Sequence, residues 1–228
     1  MLLSTTLSLA SFFGAVTLSG SALAQPVGAP TPSIGDMREY QVVDDWTNQV
    51  RYESRHEIIG TLDGFVRLRI EGRVLNPKTN VLEARAAEEE TGRSDLNPDY
   101  ETRAGATRRM NYAWPLEVGK KWSYSYATES VGADGQRTVA QFTMAAEVTG
   151  WENVTTPAGT FRTLKVVHKG TIDLTPASGP ASQVGWTSWY APQVGNQVKA
   201  TYRWDSASGV PGSRTTTVLT SYKKAGGN

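Results

Sequence analysis

The side chains able to do chemistry are few and scattered. His56 and His168 are the only imidazoles of the chain, and neither sits in a His-x-His or Glu-x-x-His spacing. Such spacings bring two ligands, or an acid and a base, to one face of a strand or helix; without them a site must be assembled from distant segments. Both are read as strand histidines, satisfied or solvent-facing. The acidic runs Asp44-Asp45 and Glu88-Glu89-Glu90 are equally poor carboxylate pairs. Neighbours in a strand point to opposite faces, and a run of three reads as a solvated stretch. There is no Gly-x-Ser-x-Gly elbow and no Gly-rich phosphate loop between a strand and a helix. Cysteine is absent, which removes a thiol nucleophile, thiolate metal ligation, disulfides and a lipid-modified N-terminal Cys. No catalytic residue, metal ligand or cofactor is therefore assigned. A hydrolase or isomerase whose groups converge from separate strands is the enzymatic alternative.

Two sets of residues favour binding. Arg85, Arg93, Arg103, Arg108 and Arg109 stand among acidic residues and offer an anion or phosphate site, against the simpler reading of solvated loop charge. Trp186, Trp189, Tyr190, Tyr202 and Trp204 are the candidate ligand-binding residues. A concave sheet lined by them could hold an acyl chain, a glycan face or an extended peptide; core packing is the plainer alternative. All 7 Trp and all 9 Tyr follow residue 24, whereas Phe12 and Phe13 precede it. That excess suits places where a core, groove or interface meets water, and it also suits plain β propensity. A formal net charge of +1 gives no electrostatic case for nucleic acid or an anionic membrane surface.

Strands must position these residues. Residues 1–24 are uncharged, carry an apolar run from Leu7 to Val16, and end in Ala22-Leu23-Ala24, which predicts a signal peptide cleaved before Gln25. The run is short and broken by Ser and Gly compared with the roughly 20 apolar residues of a membrane span. There is no other candidate span. Export to the periplasm or medium follows, with about 200 residues left to fold. Residues 25–35, holding Pro26, Pro30 and Pro32, read as an extended linker, and residues 36–224 as a single β-sheet domain.

Within that domain, alternation of apolar and polar residues predicts strands over 39–46, 49–59, 65–71, 122–127, 138–148, 184–190, 197–205 and 214–223. Residues 81–87 are read as a strand followed by a loop, although 82–90 also contain strong helix formers. Residues 95–107 have no period and are expected to form a long solvent-facing connection. In Val154-Thr155-Thr156-Pro157-Ala158-Gly159-Thr160-Phe161, Pro157 suits a type I turn and Gly159 the left-handed residue closing a three-residue hairpin, with Phe161 as its anchor. Gly35-Asp36-Met37-Arg38-Glu39-Tyr40 also echoes Gly119-Lys120-Lys121-Trp122-Ser123-Tyr124, each leading through a hairpin to a strand with a Gly, Gly72 or Gly170. Two related meanders or a coincidence would both account for it. The expected class is all-β and mostly antiparallel: a curved meander sheet, open barrel or sandwich.

Four landmarks stand in order: Pro115-Leu116-x-x-Gly119-x-x-Trp122, Val154-x-x-Pro157-Ala158-Gly159-x-Phe161, Trp189-Tyr190-x-Pro192-x-x-Gly195, and Val198-Lys199. Together they resemble bacterial exported domains of unknown function found in periplasmic proteins and lipoproteins. The resemblance covers roughly residues 34–224 and implies a strongly curved antiparallel sheet in the cell envelope. It brings no catalytic residues, and the chain departs from lipoprotein members in lacking the Cys. The expected function is a noncatalytic envelope domain that binds an amphipathic ligand, lipid or glycan. A structural module pairing with an envelope protein is the other expectation.

Overall fold

Alternating side chains give each strand one face to bury, and the chain meets that demand with strands alone. The computed structural model describes residues 25–98, 108–132, 134–176 and 179–226. The expected signal peptide and Arg103 lie outside the described residues. The first strands are β1 (Met37–Asp44), β2 (Gln49–Leu62), β3 (Phe65–Asn76), β4 (Val81–Ala84) and β5 (Glu88–Arg93). The remainder are β6 (Lys121–Val131), β7 (Arg137–Thr156), β8 (Gly159–Thr175), β9 (Ser182–Ala191), β10 (Asn196–Asp205) and β11 (Pro211–Lys223). They form one antiparallel sheet in the order β4-β3-β2-β1-β11-β10-β9-β8-β7-β6, with β5 beside the first half of β3. The sheet is all-β as expected, and it does not close into a barrel. Among the described residues no helix is long and apolar enough to cross a membrane.

Two meanders meet at the seam between β1 and β11, where Tyr40 lies opposite Leu219. Asp36 clasps that seam. Its carboxylate accepts from the Ser33 and Ala225 backbone N–H groups at 3.1 and 2.9 Å and from the Lys224 ammonium. Burial pushes this carboxyl up, but the Lys224 and backbone bonds outweigh it and hold it below the usual range.

The faint sequence echo is a repeat of register. Gly35 and Gly119 both take positive φ, 91° and 87°, ahead of β1 and β6. The Gly35 N–H donates to Ile58 O and the Ile58 N–H to Asp36 O; likewise the Gly119 N–H donates to Val148 O and the Val148 N–H to Lys120 O. Each second strand then bulges, between Ile58 and Gly60 or between Val148 and Gly150. The row Tyr40–Ser54–Gly72 matches Tyr124–Met144–Gly170, and the next row, Arg38–His56–Ile70, matches Trp122–Ala146–His168.

The hairpins then differ. β2–β3 ends at Asp63-Gly64, with φ of 46° and 81°, a turn type that suits the twist of a two-residue hairpin. β7–β8 runs on to Thr156 opposite Gly159, so its loop is Pro157-Ala158, two residues rather than the expected three. Gly159 has φ +130°. The longer hairpin folds over onto β11: the Ala158 N–H points to Leu219 O at 3.4 Å, and Phe161 and Val154 join Tyr40, Val198 and Leu219 in one core cluster.

The middle of the chain departs most from expectation. Residues 88–93 form a strand, not a loop or helix: they pair with Phe65–Ile70 of the neighbouring strand, and Glu89 lies 3.8 and 3.6 Å from Arg67 and Arg69 there. Tertiary pairing with an existing strand overrides helix propensity there. Residues 95–98 are not a solvent-facing connection either. Asn97 is buried and clips to Tyr112, accepting from its N–H at 2.8 Å and donating to its carbonyl at 2.9 Å.

Candidate functional site

β9, β10, β11, β1, β2, β3 and β5 wrap around a cavity of about 640 Å³. Ile58, Val66 and Leu68 give it an apolar wall from β2 and β3, and Trp186 and Tyr202 an aromatic one from β9 and β10. Trp186 and Tyr202 are direct partners in the sheet, which puts their rings on one face. The Asn97–Tyr112 clip lines one side of the cavity, held in place by the Trp114 indole N–H on Asp95 O and the Trp122 indole N–H on Met110 O, both 2.8 Å. Val27 pairs with Leu116, and this brings Pro30 and Pro32 to the rim.

Of the five aromatic residues singled out in the sequence, the cavity takes Trp186 and Tyr202. Trp189 points to the opposite face of β9, with the Lys165 and Lys199 ammonium groups 5.2 and 5.1 Å from its ring and its indole N–H donating to Glu152. Tyr190 is buried against Tyr112 and Trp114, and burial pushes its phenol above the usual range. Trp204 is half-buried beside the Tyr124, Met144 and Val184 cluster.

The histidines lie in different places. His56 is half-buried in the cavity wall, Nε2 2.9 Å from Ser54 Oγ, edge-on to Tyr40; burial first, then the Arg38 charge, lower its pKa. His168 is 1% exposed in the other meander, Nδ1 3.0 Å from Tyr124 Oη, with its ring stacked on Trp186 at 4.6 Å. Burial, helped by the Arg109 charge, pushes it down to about 3, so it is neutral. Asp44 caps a turn, accepting from the Trp46 and Thr47 N–H groups and pairing with Arg51 at 2.7 Å.

Most of the arginines are spoken for. Arg85 lies 3.5 Å from Glu88, and Arg108 3.2 Å from Asp95. Arg93 and Arg109 reach the cavity. So does Arg38, which the sequence reading passed over. The signal was present: Arg38 falls on the same strand face as Tyr40, a permanent charge where the alternation calls for an inward residue.

No protein-family model matches the chain, and no curated protein sequence matches it. Solved structures with a similar arrangement include a candidate lipoprotein from Parabacteroides distasonis, 15% identical over 87% of this chain and 100% of that one, TM-score 0.49. An exported protein with a YmcC-like fold from Bacteroides fragilis is 12% identical over 88% and 100%, TM-score 0.46. The hypothetical lipoprotein YmcC from Escherichia coli is 10% identical over 85% and 86%, TM-score 0.40. Likenesses this loose carry no functional assignment.

The site offers an apolar wall, a facing pair of aromatic rings and a buried guanidinium, and its neutral His56 is already engaged with Ser54.

Proposed function

We propose that the chain is an exported, noncatalytic cell-envelope domain that binds an amphipathic ligand, lipid or glycan, inside its curved sheet. The observation that carries this reading is the cavity of about 640 Å³, bordered by the clipped Asn97 and Tyr112 segments and lined by both apolar and polar side chains. Volume and mixed lining of this kind are those of small-molecule sites. Export rests on the uncharged apolar segment ending in Ala22-Leu23-Ala24. The test uses delipidated protein and the uncharged hydrophobic probe N-phenyl-1-naphthylamine. One saturable site with enhanced emission is expected, together with co-purifying lipid or glycan in native mass spectra of periplasmic material. Absence of both would sink the reading.

A second reading, a module that pairs with an envelope protein, is favoured by the position of β6 at the end of the strand order. A specific crosslink from Ser123 or Ser130, both exposed on β6, to another protein in cells would support it, and uniformly monomeric protein would oppose it.

A further inference from the structure

Arg38, Arg93 and Arg109 line the cavity, but the fold occupies them unequally. Arg93 Nε lies 3.5 Å from Asp95, and the Arg93 guanidinium sits over Phe65. Arg109 donates to Asn111 Oδ1 at 2.9 Å and stacks over Trp186 and Tyr126. Arg38 is 6% exposed, and among the described residues no carboxylate, carbonyl or hydroxyl accepts a hydrogen bond from it. A guanidinium cannot relieve burial by shedding its proton, as a lysine or histidine can. It keeps its charge, and that charge is stable only beside an acceptor. The register sets Arg38 beside His56 on β2, and its positive field reaches Tyr40, His56 and Tyr190. From there Ile58, Val66 and Leu68 form a continuous apolar wall on β2 and β3.

Resting on the reading above, we propose that Arg38 binds the carboxylate of a single-chain fatty acid whose tail lies along Ile58, Val66 and Leu68. The planar guanidinium fork matches a carboxylate bidentately, and one unanswered positive charge matches one negative charge. A doubly charged phosphate monoester would need a second free cation, and the carboxylate in the same wall, Glu90, opposes more negative charge. A cavity of about 640 Å³ holds one acyl chain with its head.

The experiment measures displacement of N-phenyl-1-naphthylamine by dodecanoate, dodecanol and dodecyl phosphate at pH 7.5, on wild-type protein and on Arg38→Met and Arg38→Lys. Dodecanoate should bind wild type at least tenfold tighter than dodecanol. Arg38→Met should abolish that preference while leaving dodecanol affinity unchanged, and Arg38→Lys should keep part of it. Equal binding of dodecanoate and dodecanol to wild type would overturn the anion site while leaving the cavity reading intact. Tighter binding of dodecyl phosphate than of dodecanoate would overturn the carboxylate assignment. If the probe and all three compounds fail to bind, the parent reading fails as well. Arg38→Met should also melt at or above the wild-type temperature, since it removes a buried charge without a partner. A clearly lower melting temperature would show that the fold itself uses the arginine, and would overturn the proposal.

Discussion

The segments β1-β2-β3 and β6-β7-β8 share a register down to the bulge, yet they fill it differently. In the second, Trp122, Ala146 and His168 occupy a row in which Trp122 is half-buried and the other two are buried, and Tyr124 and Met144 complete the next row. In the first, the same row holds Arg38, His56 and Ile70, and the next offers Tyr40 with Ser54 and Gly72. One meander packs its inner face with its own rings. The other puts Arg38, Tyr40 and His56 on the wall of the hollow, while Ser54 and Gly72 border a separate groove. A shared frame thus separates what the backbone requires from what the side chains add, and the hollow belongs to the second category.

Substitutions at matched positions test that separation. The largest effect is expected at Gly170, where an added Cβ would stand 2.0 Å from Thr143 O, a backbone atom that cannot swing away. At the matched Gly72 the Cβ would meet the phenol end of Tyr52 at 2.7 Å, and that side chain can rotate. Gly170→Ala should lose about 3 kcal/mol in urea unfolding and Gly72→Ala about 1 kcal/mol. Equal losses would show that the two faces are equally tight. Next comes the long hairpin, present only in the second meander. Gly159→Val places a β-branched residue at φ +130° and should cost about 2 kcal/mol. A variant that melts like the parent would show that the tip does not hold β11.

The smallest effect is graded by pH. His168 titrates at about 3 in the fold against an ordinary 6.5, so below pH 6.5 the unfolded chain takes the proton first. Stability should be full above pH 6.5 and fall as pH drops toward 3, by up to about 1.4 kcal/mol per unit. His168→Phe should flatten that limb. His56→Phe should flatten it less, since His56 is only half-buried and its downward shift is smaller in cause. A larger flattening from His56 would reverse the assignment of open and filled faces.

Strands were legible wherever one face was apolar, because only an extended chain turns successive side chains to opposite faces with period two. Residues 88–93 escaped since a Glu run carries no alternation, and what makes it a strand is its pairing with β3, which lies about 20 residues earlier and cannot be read from local pattern. Within the aromatic set, parity already separates Trp189 from Trp186 and Tyr190, and the structure keeps that separation. Parity cannot tell a ring that lines a hollow from one that fills a core, so Tyr190 and Trp204 looked the same as Trp186 and Tyr202. Arg38 was overlooked for a related reason: a charge in a strand reads as a wet face until its cross-strand neighbours are known.

The seam between β1 and β11 gives the molecule an order of events. Strands within each meander pair with neighbours that leave the ribosome shortly before them, while Tyr40 must wait for Leu219. Contacts so distant along the chain close slowly, after the local ones. A growing polypeptide therefore lacks the Thr217 side of the pocket until Pro211–Lys223 has emerged. The cavity wall is completed only when β11 pairs with β1, so the hollow is a late product of folding.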